Sequence, residues 1–232
     1  MSEARDEAMP DVLAWSVIKA RGLDAESFLQ GQLSQDLATL DEHGGWTLLL
    51  APDSVVLTAA FVSRRDDGYD VVVPRRALDV AENRLRRFLL RAKCTLSTEE
   101  VDEGPFATLD DQIDARWPGE REFAAALTPH SFGRHFVDAT VSFQKGCFTG
   151  QELVARLDAR GSSVPWRLVR VSGPSDDRID TVLRSKGPDG PKGVTSSSRR
   201  DGRVEGLGFA HRTLQGVLAE ESDTEVTIEF VE

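Results

Sequence analysis

The stretch from Trp46 to Val73, WTLLLAPDSVVLTAAFVSRRDDGYDVVV, is rich in β-branched and aromatic residues. Two segments of typical turn composition, Pro52-Asp53-Ser54 and Asp66-Asp67-Gly68, interrupt it. They leave three strand candidates: Trp46 to Leu50, Val55 to Ser63 and Tyr69 to Val73. We therefore predict three consecutive antiparallel strands.

The period of the apolar residues changes after Pro74. A helix is predicted there, because apolar side chains recur at helical spacing at Leu78, Ala81, Leu85, Phe88 and Leu89. The run Cys94-Thr-Leu-Ser returns to a strand pattern. Residues 46–99 are thus expected to form a β-β-β-α-β unit.

A strand and a helix are predicted on the N-terminal side of this unit. The run Ala14-Trp-Ser-Val-Ile-Lys alternates like a strand, and Asp24 is a suitable N-cap for the helix that follows. That helix carries an apolar stripe at Leu29, Leu33 and Leu37.

The C-terminal part has weaker patterns. Residues 99–140 contain several proline and glycine interruptions, so we expect loops and short elements there. From Trp166 onward no long helical period is present, and strand candidates recur at Leu168–Val171, Val204–Ala210 and Val226–Val231. A small β-barrel or sandwich is predicted for this third of the chain.

Composition excludes several classes of protein. The 232 residues are 40% hydrophobic and 29% charged, which is typical of a globular protein of two domains, or of three small ones. Only two cysteines occur, and no run approaches the ~20 apolar residues of a membrane helix. The acidic N-terminus resembles neither a signal peptide nor a transit peptide. We expect a cytoplasmic protein with no membrane partner.

The charge is negative overall but uneven. A net charge of −11 does not favour direct binding of nucleic acid. The segment from Arg64 to Lys93 nevertheless holds nine basic against five acidic residues. This basic segment is either a solvated face or a landing site for the anionic tail of a ligand or partner.

The stretch from Phe143 to Leu157, FQKGCFTGQELVARL, carries the main candidate for chemistry. Thr149 and Glu152 have the spacing of a capping box, so a helix is expected to begin there, with Glu152 paired to Arg156. Cys147 lies just before this helix start, where unpaired N–H groups and Lys145 would favour a thiolate. The alternative is a buried, inert cysteine, which is also our interpretation of Cys94.

Other kinds of site have little support in the sequence. The histidines, His43, His130, His135 and His211, have no spacing with cysteine that is typical of a zinc or iron–sulfur site. No dinucleotide-binding, phosphate-loop or nucleophile-elbow motif is present. We predict no stable metal centre.

The motif Lys145-Gly-Cys-Phe-Thr-Gly-Gln-Glu152, continued by Val154-Ala-Arg156 and Arg160-Gly161, closely resembles the signature of the YgfZ family of folate-binding iron–sulfur assembly factors. That family is related to the glycine-cleavage aminomethyltransferase. Two further stretches fit the same superfamily: Gly22 to Asp36, and Gly193 to Ser197 followed by Gly206 to Ala210.

The resemblance implies an α+β fold, an aminomethyltransferase-like cloverleaf of small α/β subdomains around a central channel. On this basis we predict a discontinuous folate-channel subdomain over 10–45 and 100–160, a second subdomain over 46–99, and a C-terminal antiparallel β-barrel over 161–232. The implied function is that of a folate-binding accessory protein for assembly or repair of iron–sulfur enzymes. The family has also been linked to tRNA modification. The alternatives are a folate-dependent transferase of one-carbon groups, acting on a small amine or on RNA, and a ligand-free scaffold.

The resemblance also implies the site residues. Cys147 would be the functional thiol, and tetrahydrofolate would be bound by residues of the same signature: Lys145, Gly146, Phe148, Gly150, Gln151, Glu152 and Arg156. For Glu152 a purely structural capping role stays open. The implied partners are folate and iron–sulfur client or assembly proteins.

The chain departs from the family and superfamily patterns at several positions. Phe148 replaces the usual tyrosine, and Ala125 aligns with the acid by which aminomethyltransferases hold the pterin. Their Asn-Ala-x-Asn stretch is replaced by Val73-Pro-Arg-Arg76, and the link between Asp138 and Phe143 is shorter than usual. The loss of the pterin acid and of the Asn-Ala-x-Asn stretch argues against a glycine-cleavage transferase.

Overall fold

The first strand of the chain, β1 (Trp15–Arg21), lies inside a five-stranded antiparallel sheet. The computed structural model describes residues 12–161, 163–185, 187–214 and 225–232. The sheet has the order β2-β3-β4-β1-β5, and its other strands are β2 (Gly45–Leu50), β3 (Val56–Arg65), β4 (Gly68–Pro74) and β5 (Thr95–Val101). The predicted β-β-β-α-β succession is confirmed, with α2 at Leu78–Phe88.

Strand β1 joins the two ends of that succession. It pairs with β4 along one edge and with β5 along the other, so that Val17 lies opposite both Val72 and Glu99. The predicted subdomain division, which grouped residues 10–45 with 100–160, stays a prediction. Within the sheet, β1 shares its hydrogen bonds with strands of the 46–99 segment.

Helix α1 (Ala25–Gln30) follows β1 and packs onto the sheet through Phe28 and Leu29. Asp24 occupies its N-cap position as predicted, but its side chain does not cap the helix. The carboxylate instead accepts a hydrogen bond of 2.7 Å from the backbone N–H of Lys93. The Asp24 carboxylate therefore makes a long-range hydrogen bond in place of the helix cap that the local sequence predicts.

Short elements occupy the region between the two sheets, as the sequence predicts. They are α3 (Leu109–Asp114), α4 (Glu120–Phe123), a 3-10 turn (Pro129–Phe132), α5 (Arg134–Thr140) and α6 (Gln151–Ala159). The aromatic side chains of these elements and their links form a buried core with edge-to-face contacts, for example between Phe132 and Phe136 and between Trp117 and Phe136.

The C-terminal part contains a four-stranded antiparallel sheet of order β7-β8-β6-β9. The strands are β6 (Trp166–Gly173), β7 (Gly193–Arg200), β8 (Arg203–His211) and β9 (Thr227–Phe230). Within the described residues β7 and β9 are the outer strands, and no closed barrel is seen.

A helix that sequence reasoning missed, α7 (Asp176–Arg184), covers this second sheet. The hydroxyl of Ser175 caps it by accepting a hydrogen bond from the N–H of Arg178, and Ile179 and Leu183 are fully buried. A capping serine followed by apolar residues four positions apart is the signal that was available in the sequence.

Candidate functional site

Lys145 fixes the loop that precedes α6. Its ammonium group donates hydrogen bonds to the backbone carbonyls of Gln30, Leu33 and Gln35, at 2.7, 2.7 and 2.8 Å. Burial lowers the pKa of Lys145 to about 8. Its three donors are used in this way, so none of them is left to hydrogen-bond a Cys147 thiolate. The predicted effect of its charge on Cys147 stays a prediction.

Helix α6 begins without the predicted capping box. Gly150 is its N-cap residue, with a left-handed φ of 81°, and no side chain caps this helix start. The N–H of Thr149 donates to the carbonyl of Gly31 at 3.1 Å instead. The side chain of Glu152 is 86% exposed and pairs with Arg156 at 2.6 Å, as the four-residue spacing predicts. The capping box assigned to Thr149 and Glu152 is therefore wrong.

The two glycines beside Cys147 have different surroundings. A Cβ atom on Gly150 would lie 2.5 Å from the carbonyl oxygen of Ala51. The carbonyl of Gly150 accepts a hydrogen bond of 2.5 Å from the Ser54 hydroxyl. A Cβ atom on Gly146 would meet no described atom within 4 Å. Gly150 is needed for packing against the loop after β2.

Two other signature residues have structural contacts. Phe148 is buried in the aromatic core, and its ring centroid lies 5.3 Å from the Lys145 ammonium. The side-chain oxygen of Gln151 accepts a hydrogen bond of 3.0 Å from the N–H of Phe148. These contacts hold the loop against α6.

The two cysteines differ as predicted in their exposure. Cys147 is exposed, whereas Cys94 is buried, and burial raises the pKa of the Cys94 thiol. The interpretation of Cys94 as a core residue is confirmed. The reactivity of Cys147 and the ligand contacts assigned to its neighbours stay predictions.

A cavity of about 280 Å³ lies elsewhere, at the start of β1. We call it the β1 cavity. Among the described residues, it is lined by the backbone leading into Trp15, by Arg75 and Arg76 after β4, and by Gln112 and Glu120 of the short helices. None of the eight signature residues from Lys145 to Arg156 that we predicted for the site lines it.

The β1 cavity has an unusual polar wall. The Nε atom of Arg75 is buried and has no hydrogen-bond partner among the described residues, while another nitrogen of its guanidinium lies 3.2 Å from Glu100. Burial raises the pKa of the Glu120 carboxyl, and the charges of Arg76 and Arg121 act in the opposite direction. Cationic and acidic groups therefore face one small volume.

Glu122, at the back of this cavity, is a residue that sequence reasoning missed. Its carboxylate is fully buried and accepts hydrogen bonds from the N–H of Gly119 at 2.8 Å and from the hydroxyls of Thr195 and Ser196 at 2.5 and 2.7 Å. It links α4 to β7. The resemblance aligns the pterin-binding acid of aminomethyltransferases with Ala125, three residues later, and so does not point to Glu122.

The rest of the basic segment does not face the β1 cavity. Arg64 pairs with Glu26 at 3.0 Å, Arg65 with Asp70 at 2.8 Å and Arg86 with Glu82 at 2.7 Å, and all three arginine side chains are partly exposed. Of the nine basic residues of this segment, only Arg75 and Arg76 line the cavity.

Two further findings concern the described residues alone. They contain no cluster of three histidine, cysteine or acidic side chains arranged to bind a metal ion. No helix among them has the length and apolar composition required to cross a membrane.

Comparison with known proteins gives similar sequences and a similar fold. No family model matches the chain. The chain is 23% identical to the tRNA-modifying protein YgfZ of Enterobacter sp. (strain 638), in an alignment that covers 64% of this chain and 67% of that protein. It is 24% identical to the tRNA-modifying protein YgfZ of Vibrio atlanticus (strain LGP32), in an alignment that covers 76% of this chain and 75% of that protein.

The structural comparison agrees with the sequence comparison. The crystal structure of glycine cleavage system aminomethyltransferase T from Bartonella henselae superposes with a TM-score of 0.53 at 14% identity, over 95% of this chain and 83% of that one. The predicted resemblance to the YgfZ family and the aminomethyltransferase-like fold are confirmed.

Proposed function

We propose, from this resemblance to the YgfZ family, that the protein binds tetrahydrofolate in the β1 cavity and supports the assembly or repair of iron–sulfur enzymes. The proposal depends mainly on the lining of the β1 cavity. Arg75 and Arg76 line it together with Glu120 and with the backbone that leads into Trp15. A folate has an anionic glutamate tail and a pterin with several N–H donors, so it requires both kinds of group.

The residues of the β1 cavity fit such a ligand. The unpartnered Nε of Arg75 is a buried cationic donor, which a tail carboxylate would satisfy. The carboxylate of Glu120 and the side-chain amide of Gln112 are suited to the pterin edge. Bound tetrahydrofolate would supply a carrier of one-carbon groups, and these side chains would bind and orient it.

Cys147 is assigned the role of the functional thiol in this proposal. It is exposed on a loop that Lys145 holds through three backbone carbonyls. An exposed thiol on a fixed loop is accessible to a client protein, which suits an accessory protein. We also propose, from the same resemblance, the division into subdomains given above and a second sheet that closes into a barrel.

A titration tests the binding site. Tetrahydrofolate and its polyglutamate are titrated against the protein by intrinsic tryptophan fluorescence, at low and high salt. We expect the polyglutamate to bind about tenfold more tightly at low salt and to lose this advantage in Arg76→Gln. Arg87→Gln, which removes an equal charge from an exposed position on α2, is the control. Absence of saturable binding to wild-type protein would refute the proposed site.

A cellular assay tests the iron–sulfur role. The activity of an iron–sulfur enzyme is measured in cells that depend on this protein, with Cys147→Ser and with Cys94→Ala as the matched control. We expect loss of activity with the first variant only. Equal activity with both would exclude Cys147 as the functional thiol. Turnover of a methylene-folate donor with a small amine or RNA would favour the transferase alternative instead.

A further inference from the structure

A second cavity, of about 750 Å³, lies at the C-terminal end of α6. We call it the α6 cavity. Its wall is formed by His130 before α5, Asp158 at the end of α6, Arg167 on β6 and Arg212 after β8. It shares no described lining residue with the β1 cavity, and the function proposed above does not use it.

His130 is the most unusual side chain of this wall. Its side chain is only 1% exposed, and neither ring nitrogen has a hydrogen-bond partner among the described residues. The Nε2 atom lies 4.0 Å from the carboxylate of Asp158, which is too far for a hydrogen bond. Buried polar side chains nearly always have a partner, so an imidazole that lines a cavity without one indicates a polar ligand.

The protonation of His130 defines what it can offer. Burial lowers its pKa, and Arg134 acts in the same direction, whereas Asp158 opposes them. The ring is therefore neutral near pH 7, with one N–H donor and one acceptor nitrogen. Such a ring is suited to a hydroxyl group or to a neutral polar edge of a ligand.

Arginine side chains and hydroxyl groups form the rest of the wall. Arg134, Arg167 and Arg212 face it together with Asp158 and Glu232, so cationic groups outnumber carboxylates. Acidic partners and backbone carbonyls fix two of the guanidinium groups: Arg134 pairs with Asp158 at 2.7 Å, and Arg167 donates to the carbonyl of Val231 at 3.1 Å.

Arg212 is the third arginine that lines the α6 cavity. Its guanidinium donates to the hydroxyl of Ser163, and Thr213 adds a second hydroxyl to the same wall. Guanidinium groups recognise phosphate through paired N–H donors, and neighbouring hydroxyls add further hydrogen bonds. A guanidinium flanked by hydroxyls is an arrangement suited to phosphate oxygens.

We propose that the α6 cavity binds a small molecule carrying a phosphate ester, with Arg167 and Arg212 on the phosphate and His130 on a polar group of the remainder. A bare phosphate ion would fill only a small part of 750 Å³, and a ligand of the size of a mononucleotide falls within the usual range of such sites.

Calorimetric titration of the full chain tests this proposal. Adenosine monophosphate and inorganic phosphate are the probes, with sodium acetate at equal ionic strength as a carboxylate control. We expect saturable binding of adenosine monophosphate, weaker binding of phosphate and none of acetate. Arg212→Gln should weaken the nucleotide by at least about tenfold. Arg199→Gln, an exposed arginine of the second sheet, should leave it unchanged.

His130→Gln provides an independent test, provided that its unfolding midpoint in denaturant shows it to be folded. We expect weaker binding of adenosine monophosphate and unchanged binding of phosphate. No saturable binding by the wild-type chain, or equal losses in Arg212→Gln and Arg199→Gln, would overturn the proposal. Equal affinity for acetate and phosphate would show a general anion site and would also overturn it. The titration of folate is a separate measurement on the other cavity, so the two proposals fail independently.

Discussion

Replacing Lys145 with methionine removes the group that holds the signature loop. Hydrogen bonds that involve a charged donor contribute about 1.5–3 kcal/mol each, and this ammonium group makes three. In the wild-type chain, the cost of burying the ammonium charge offsets part of this stabilisation. In the variant, the three backbone carbonyls lose their hydrogen-bond donor. We expect Lys145→Met to lower the free energy of unfolding by about 3–5 kcal/mol.

Urea unfolding followed by circular dichroism measures this loss, and a thermal scan should show a fall in Tm of roughly 6–20 °C for a chain of this length. Lys19→Met is the matched control. Lys19 pairs with Glu99 on the surface of the first sheet, and both side chains are more than one third exposed. Because exposed ion pairs contribute about 0–1 kcal/mol, the control should change little.

The outcome also separates a structural from a ligand-binding role of Lys145. A loss no greater than that of Lys19→Met would refute the reasoning from the three carbonyls. If in addition Lys145→Met no longer bound tetrahydrofolate, the residue would be a ligand contact, as the resemblance implies.

Three further predictions concern the signature loop and His130. Gly150→Ala should lower the free energy of unfolding in urea by about 1–3 kcal/mol, because Gly150 has a left-handed backbone and lies close to the carbonyl of Ala51. The control Thr149→Ala should change it by less than about 0.5 kcal/mol. Equal losses in the two variants would contradict the observed helix start. A thiol reagent should modify Cys147 in the folded protein and Cys94 only after unfolding, and equal rates would contradict the difference in exposure. The free energy of unfolding should fall as the pH drops below about 6.5, because burial lowers the pKa of His130 in the folded chain and the unfolded chain binds the proton more readily. His130→Gln should reduce this fall. Identical pH profiles of the variant and the wild-type chain would contradict the prediction.

The first sheet was predictable where its pairings are local. Strands β2, β3 and β4 are joined by short turns, and the turn Asp66-Asp67-Gly68 and the alternation around it are visible in the sequence. The position of β1 depends on partners far along the chain, which a local pattern does not encode. The missed helix α7 is different, because its signal was local and was overlooked.

The candidate site was harder to predict, since tertiary contacts decide what each signature residue does. The spacing of Thr149 and Glu152 fits a capping box, but packing of Gly150 against Ala51 begins the helix one residue later. The three carbonyls bound by Lys145 belong to a segment more than 100 residues away in sequence. The exposure of Cys147 was predicted correctly, although the adjacent Phe148 is buried in the core.

The interior position of β1 in the first sheet constrains the order in which the chain can assemble. Strands β2 to β4 are consecutive and can form as a meander as soon as they are synthesised. Strand β1 emerges earlier, yet its partner residues lie far away: Lys19 contacts Glu99 across 80 residues. During synthesis, the second edge of β1 can pair only after β5 has been made. Until then β1, which carries the fully buried Ile18, is not fully paired. The pairing of β1 with β4 places Trp15 opposite Pro74, and the N–H of Arg75 donates to the carbonyl of Ala14. The β1 cavity, which these residues line, therefore forms only after this long-range pairing.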